Sequence, residues 1–361
     1  MTTTLRWLGF VAGIVVCAGT TVGVMKTLIV PRRGWSLMPA FIGRNGFKIF
    51  HGIAIRFRSY DLADRFLGFL APTVVIGILV SFLAAFVLGF GLLLLPFADL
   101  TLGAALREAG SSVFTLGFVS TDEVVPTALD IAAGATGMIF VALTIGYLPS
   151  LYSEVKNREV VVKQLEGWAG VPSWGPEILA RFALAGAVDR LPGVYTTWDA
   201  WAARVADSHM KYPVLTHFRL PRAKNHWAIA LLAVMDAAAL ETVLRPDEDH
   251  AEARLFLSQA LNCGYAVTYA MRRVEPESSD PGIDEADFRK GVDRMSAAGY
   301  PMALSADEAW PEFAALRSSY SPLFYGLAYW TVAAPAPWSG TRAGFDDLAG
   351  WPEAPAEWSL G

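Results

Sequence analysis

The chain contains little charge and almost no cysteine. Only 17% of its 361 residues are Asp, Glu, Lys or Arg, and 54% are hydrophobic, whereas soluble domains contain about 25% charged residues. The net charge of −5 and the lack of a basic cluster argue against nucleic acid as a partner, because binding needs Lys and Arg to neutralise phosphates. Two cysteines, Cys17 and Cys263, do not make a disulfide framework. This composition is typical of a chain that is partly embedded in lipid.

The charges are divided unevenly along the chain. Residues 1–155 contain ten basic and eight acidic residues, and residues 156–361 contain nineteen basic and twenty-six acidic residues. We therefore predict a membrane half followed by a mildly acidic, soluble half of domain size.

Three uncharged runs are long enough to cross a bilayer, which takes about 20 residues. They are Trp7–Met25, extended to Val30, then Phe66–Ala98 and Ile131–Ser153. The first is longer than the apolar core of a signal peptide and no Ala-x-Ala site follows it, which favours a crossing helix. The segment Phe47–Arg65 mixes apolar and basic residues, so it is either an interfacial helix or a structured loop.

The basic residues predict the orientation of the spans. Residues 31–65 contain seven basic residues against two acidic ones, and Lys156, Arg158 and Lys163 follow the third span. Basic loops lie on the cytoplasmic side, so we expect the N-terminus outside and the soluble half inside. The predicted outer stretch contains one base, Arg107, and five acids: Asp99, Glu108, Asp122, Glu123 and Asp130.

A fourth uncharged run, Ala109–Thr121, has only 13 residues and lies between the second and third spans. It is too short to cross, and its two flanking spans must end on the same side. We interpret it as a re-entrant loop, since non-helical backbone at membrane depth is tolerated where it lines a water-filled cavity. The alternative is an external hairpin with no ion path.

Within this run, Thr115-Leu116-Gly117-Phe118-Val119 resembles the Thr-Val-Gly-Tyr/Phe-Gly filter of potassium channels in the pore-loop family. The resemblance covers about 90 residues, 66–153, in the order outer helix, pore helix, filter and inner helix. It implies that backbone carbonyls of residues 115–119 bind a dehydrated monovalent cation, K⁺ in the family, and that four copies surround one pore. No cofactor other than the permeant ion is implied.

The fifth filter position departs from the family, because Val119 stands where the family has glycine. A β-branched residue disfavours positive φ, so we expect the outermost carbonyl to be reoriented or missing and selectivity for K⁺ to be in doubt. Asp122 and Glu123 follow and are the predicted acids of the outer mouth, where they would concentrate cations.

The inner span contains three glycines and a proline that are candidate gating hinges: Gly134, Gly137, Gly146 and Pro149. In the family a glycine in the inner helix acts as a hinge, and Pro149 would bend the intracellular end. Small residues also simply allow transmembrane helices to pack closely. Both roles stay open.

The soluble half shows a helical composition with breaks at Pro192-Gly193, Pro213, Pro221, Pro246 and 275–282. We predict helices at Pro176–Arg190, Thr197–His209, His226–Leu244, Asp249–Val274, Asp284–Ala298 and Ser305–Ser319. His226–Leu244 is almost wholly apolar, and Asp236 within it favours a core helix. His209, His217 and His226 lack the spacing of a metal site, and no nucleotide-binding or hydrolase motif occurs.

The sequence thus predicts a membrane α-helical protein with three transmembrane helices and a re-entrant pore loop, followed by a mainly α-helical cytoplasmic domain. The expected segments are a peripheral helix (1–30), a cytoplasmic linker (31–65), a pore domain (66–155), the helical domain (156–334) and a loosely ordered tail (335–361).

The predicted function is a homotetrameric, potassium-channel-like cation channel, not an enzyme, with the lipid bilayer and an unidentified cytoplasmic ligand as candidate partners. The alternatives are a non-selective cation channel of the same architecture and a non-conducting membrane-tethered sensor or scaffold.

Overall fold

A computed structural model describes most of the chain. The described residues are 3–29, 37–57, 59–97, 100–119, 123–219, 224, 226–272 and 282–340. Within these ranges the regular structure is entirely helical, as the sequence predicts. The chain divides into two compact units, one of residues 1–48 and 72–153 and the other of residues 49–71 and 154–361.

The first unit is built from apolar helices. These are α1 (Thr3–Val24, continued by a π-helical turn at Met25–Ile29), the first part of α2 (Leu37–Ala54), α4 (Leu70–Leu94), α5 (Leu102–Val113) and the first part of α6 (Val124–Ala169). Glycines allow α1 and α4 to approach closely, since a Cβ on Gly13 would lie 2.8 Å from the carbonyl oxygen of Gly89. Such small-residue contacts are typical of helices packed in membranes.

Four helices are long and apolar enough to cross a membrane: Thr3–Ile29, Tyr60–Leu94, Val124–Ala169 and Trp227–Leu244. The first three correspond to the predicted spans, although the second ends at Leu94 rather than at Ala98. Most of their residues are not buried within the chain itself. The fourth, α9, is almost completely surrounded by other helices of its own unit. The structure is thus that of a membrane α-helical protein with several helices that could span the bilayer.

The structure differs from the predicted element boundaries at two places. The span Tyr60–Leu94 begins with a separate short helix, α3 (Tyr60–Leu67), and α2 ends at Ala54, so Phe47–Arg65 is not one continuous helix. The helix that contains the third predicted span, α6, continues through Pro149 and past Ser153 to Ala169. Lys156 and Arg158 therefore do not mark the end of this helix.

The second unit is a bundle around α9 (Trp227–Leu244). Its other helices, besides α3 and the end of α6, are α7 (Gly175–Leu184), α8 (Leu191–Lys211), α10 (Ala251–Met271), α11 (Glu285–Ala297), α12 (Ala306–Ser318) and α13 (Ser321–Trp330), with short 3₁₀ turns at Val188–Arg190 and Pro213–His217. The buried acid of α9, Asp236, pairs with the fully buried Arg317 of α12 at 2.9 Å. Tyr320 donates to the same carboxylate at 2.8 Å.

The C-terminal part of the described chain is anchored to α3. Tyr60 donates from its hydroxyl to the carbonyl of Val332 at 3.1 Å, and Arg219 bonds both Asp64 and the carbonyl of Thr331 at 2.5 Å. Residues 335–340, expected to belong to the loose tail, are packed instead, with Trp338 buried in the main core. Residues 341–361 lie outside the described residues.

Candidate functional site

The candidate site begins with α5, whose last five residues, 109–113, open the 13-residue run. The hydroxyl of Thr101 caps its first turn by accepting from the amide of Ala104 at 3.3 Å. The helix lies against α4, where a Cβ on Gly91 would come 3.2 Å from the Cα atom of Leu106. It also lies against α6, where a Cβ on Gly137 would come 1.9 Å from the carbonyl oxygen of Val113. The absence of side chains at these two glycines allows α5 to lie this close to α4 and α6.

The end of α5 forms a Schellman cap that leads directly into the predicted filter. The amide of Thr115 donates to the carbonyl of Ser112 at 2.9 Å, and the amide of Leu116 donates to the carbonyl of Ser111 at 2.8 Å. Such a cap requires a residue in the left-handed conformation after the helix, usually glycine. Thr115 occupies this position with φ of 54°, which is uncommon and strained for a β-branched residue.

The backbone of residues 115–119 alternates in the sign of φ over its first four positions. Gly117 is left-handed with φ of 68°, whereas Leu116, Phe118 and Val119 are not in the positive-φ region. Val119 therefore keeps an ordinary backbone and does not extend the alternation to a fifth residue. This is the behaviour expected of a β-branched side chain.

The outer end of this segment is held by Ser111, a residue not singled out in the sequence. Its fully buried hydroxyl accepts from the amides of Phe118 at 3.1 Å and Val119 at 3.2 Å. A serine next to a second serine at the end of an apolar helix is a signal for such contacts, because short hydroxyl side chains bond backbone groups at helix ends. The sequence does not identify the amides of Phe118 and Val119 as its partners, because they come close to Ser111 only when the chain turns back on α5.

The segment exposes apolar side chains. Phe114, Leu116 and Phe118 are 50%, 62% and 55% exposed, and the guanidinium of Arg107 lies over the Phe118 ring, 5.5 Å from its centroid. A contiguous exposed apolar strip is a sign of an interaction surface. A single copy of the chain does not cover this strip.

The acidic residues near this segment differ in their exposure to solvent. Glu123 is exposed, and Asp122 and Asp99 lie outside the described residues. Glu108, one of the five acids of the predicted outer stretch, is 2% exposed and lies beside Asp130. Asp130 in turn accepts a hydrogen bond from Ser112 at 2.6 Å. Both acids therefore lie where α5 packs against α6, and the Ser112–Asp130 hydrogen bond links the two helices.

The predicted hinge residues differ in their surroundings. Gly137 lies against the end of α5 as described above, and a Cβ on Gly134 would be 3.4 Å from the carbonyl oxygen of Ser112. Gly146 has open space on its Cβ side, and Pro149 lies within the continuous helix α6. The close contact gives Gly137 a packing role, whereas nothing around Gly146 restricts it.

Among the described residues, no group of three or more His, Cys, Asp or Glu side chains is placed to hold a metal. His209 is buried near Trp227 and receives a hydrogen bond from Arg158 at 3.3 Å. In comparisons with known proteins, no family model, curated protein or solved structure matches this chain.

Proposed function

We propose that the chain is the subunit of a homotetrameric, potassium-channel-like cation channel whose filter is Thr115–Val119. The observation that carries this proposal is the alternation of φ at Thr115 and Gly117, in an exposed segment directly after a short helix. A uniform strand turns successive residues to opposite faces. Alternation in the sign of φ allows neighbouring carbonyls to face one side instead, and a filter needs rings of such carbonyls.

The element order supports the proposal. The helix Tyr60–Leu94, the short helix α5, the segment 115–119 and the helix Val124–Ala169 correspond to outer helix, pore helix, filter and inner helix. In this arrangement α5 and the following segment form the re-entrant loop, α1 is peripheral and faces lipid, and the inner helix contains the gate. The exposed strip of Phe114, Leu116 and Phe118 then faces the neighbouring copies.

The charge distribution supports cations as the permeant species. Glu123 is exposed, and four copies would place four such carboxylates at one mouth, which raises the local cation concentration. The basic residues of 31–65 support a cytoplasmic location for that linker and the helical unit, with the N-terminus outside. The helical unit, with α9 as its buried core, is then a cytoplasmic domain that receives the gating signal, from a ligand yet to be identified.

Val119 favours a second candidate, a cation channel of the same architecture without selectivity. Its ordinary φ removes the outermost left-handed position, and strict selection depends on several successive carbonyl rings. The two candidates differ only in the ratio of K⁺ to Na⁺ flux.

The test is cation flux into liposomes that contain the purified full-length chain, under opposed K⁺ and Na⁺ gradients. Gly117→Asp should abolish flux, since Gly117 is left-handed and lies in the filter. Gly103→Asp is the matched control: Gly103 is on α5 with nothing within 4 Å of its Cβ position, and it should conduct like the wild type.

K⁺-favouring flux that is lost only in Gly117→Asp supports a selective channel, and equal flux of both ions supports the non-selective one. An absence of flux in the wild type, together with a mass other than that of four chains, would leave the membrane-tethered sensor or scaffold.

A further inference from the structure

We infer that Ser111 is a positioning residue of the filter: its hydroxyl orients the carbonyl groups of Gly117 and Phe118 toward the ion path. This inference rests on the proposed function and specifies how one chain builds its share of the carbonyl rings. The hydroxyl oxygen accepts from the amides of both Phe118 and Val119, at 3.1 and 3.2 Å.

The direction of the carbonyls follows from peptide geometry. In a planar trans peptide the C=O and N–H groups point in opposite directions. The amides of Phe118 and Val119 point toward Ser111 at the end of α5, so the carbonyls of Gly117 and Phe118 point away from α5. The amide of Leu116 donates to the main-chain oxygen of Ser111 at 2.8 Å, which likewise turns the carbonyl of Thr115 away from this helix.

Three of the four amides from Leu116 to Val119 therefore bond to one residue. Two of these bonds use the side chain, so they depend on the hydroxyl and not on the helix cap. The hydroxyl lies at the outer end of the segment, where Val119 does not adopt the left-handed conformation that fixes Thr115 and Gly117. The contact through Ser111 thus substitutes for a backbone conformation that valine disfavours.

The neighbouring Ser112 provides a matched control on the same turn of α5. Its hydroxyl contacts the carboxylate of Asp130 at 2.6 Å and the carbonyl of Glu108 at 3.1 Å, and it contacts no filter amide. Ser111→Ala and Ser112→Ala each remove one hydroxyl from the same helix end, but only the first removes the bonds to Phe118 and Val119.

The experiment measures two quantities for the wild type, Ser111→Ala, Ser112→Ala and Ser111→Thr in liposomes. The first is the K⁺-to-Na⁺ permeability ratio from the reversal potential, and the second is hydrogen exchange at the amides of residues 118 and 119. We expect Ser111→Ala to lower the ratio at least tenfold and to speed exchange at least tenfold. Ser112→Ala should preserve both, and Ser111→Thr, which keeps a hydroxyl, should restore both in part.

A role of Ser111 in folding alone would lower the number of active channels without changing the ratio, and that result overturns the inference. A wild type that passes K⁺ and Na⁺ equally also overturns it and leaves the channel intact. A wild type that carries no cation current overturns the proposed function itself. The two failures are therefore distinguishable.

Discussion

Gly137 of α6 and Val113 of α5 lie in direct backbone contact, so that a Cβ on Gly137 would come 1.9 Å from the carbonyl oxygen of Val113. This contact joins the inner helix of the proposed pore to the residue that precedes the filter turn. It also explains why a glycine is required here without any hinge motion, because no side chain fits between the two backbones.

The contact predicts that Gly137→Ala is destabilising. Inserting a methyl group into a packed interface costs about 1–3 kcal/mol, and the carbonyl that it meets belongs to rigid helix backbone. Thermal unfolding of the detergent-solubilised chain measures the loss. Gly146→Ala is the control, since its Cβ side is open, and it should have little effect. Equal stability of the two variants would show that Gly137 is not a packing residue.

Thr115 stores backbone strain at the start of the proposed filter. A left-handed conformation costs about 1–2 kcal/mol for a residue with a Cβ, and glycine would avoid that cost while losing more entropy on folding. We predict that Thr115→Gly raises the free energy of unfolding by about 0.5–1 kcal/mol and lowers the K⁺-to-Na⁺ ratio, because the hydroxyl is lost. Thr115→Ser keeps the hydroxyl and should keep the ratio. A Thr115→Gly protein with lower stability would argue against the left-handed cap.

Arg317 is the most deeply buried cation in the part of the chain described, with no exposed surface. It bonds Asp236 at 2.9 and 3.1 Å and Tyr325 at 2.7 Å. Replacing it with Met leaves an uncompensated buried carboxylate, which costs about 3–5 kcal/mol. We predict that Arg317→Met lowers the free energy of unfolding of the helical unit by about 3–5 kcal/mol.

The control for that prediction is Arg289→Met. Arg289 pairs with Glu285 at 2.5 Å and also with Asp307 on the surface, and exposed ion pairs contribute little to stability. Chemical denaturation followed by tryptophan fluorescence measures both variants. Similar losses in the two would contradict the assignment of Arg317 as the organising cation of the core.

Because the imidazole of His209 is buried, we expect the stability of the fold to depend on pH. Burial, assisted by the nearby positive charge of Arg158, lowers the pKa of His209 to about 3, from an ordinary value of about 6.5. Between these values the unfolded chain binds a proton that the folded chain does not. Stability should therefore be full above about pH 6.5 and fall as the pH decreases, by up to about 1.4 kcal/mol per pH unit.

The measurement is the free energy of unfolding between pH 5 and 8 for the wild type and His209→Gln. Glutamine does not titrate, so the slope below pH 6.5 should be smaller in the variant. Parallel curves would show that His209 is not held neutral in the fold.

Much of the helical architecture is predictable from the sequence, because charge marks the ends of apolar runs. The short run 109–121 contains the end of α5 and its cap. Asp236 correctly indicates that Trp227–Leu244 is a core helix, buried among the other helices of its unit. The end of α6 is not predictable in this way. Charged residues mark the limit of a lipid-compatible run, but a helix continues through them to Ala169.

Three features of the structure differ from the predictions or are absent from them. Pro192-Gly193 was expected to break the chain, yet α8 begins at Leu191 with Pro192 in its first turn, a position where the missing amide costs nothing. The helix Ser321–Trp330 is not among the predicted helices, although its buried residues Leu323, Phe324, Leu327 and Ala328 have helical spacing. Ser111 was missed for a different reason: its bonds to Phe118 and Val119 exist only once the chain has turned back on α5.

The measurement that tests the central claim most directly is the reversal potential of current through a planar bilayer containing the wild-type chain, with K⁺ on one side and Na⁺ on the other. A potassium-channel-like pore predicts a current that reverses toward the K⁺ equilibrium potential and is unchanged when chloride is replaced by gluconate. A current that follows chloride, or a tetramer that carries no cation current under any applied voltage, would contradict the account.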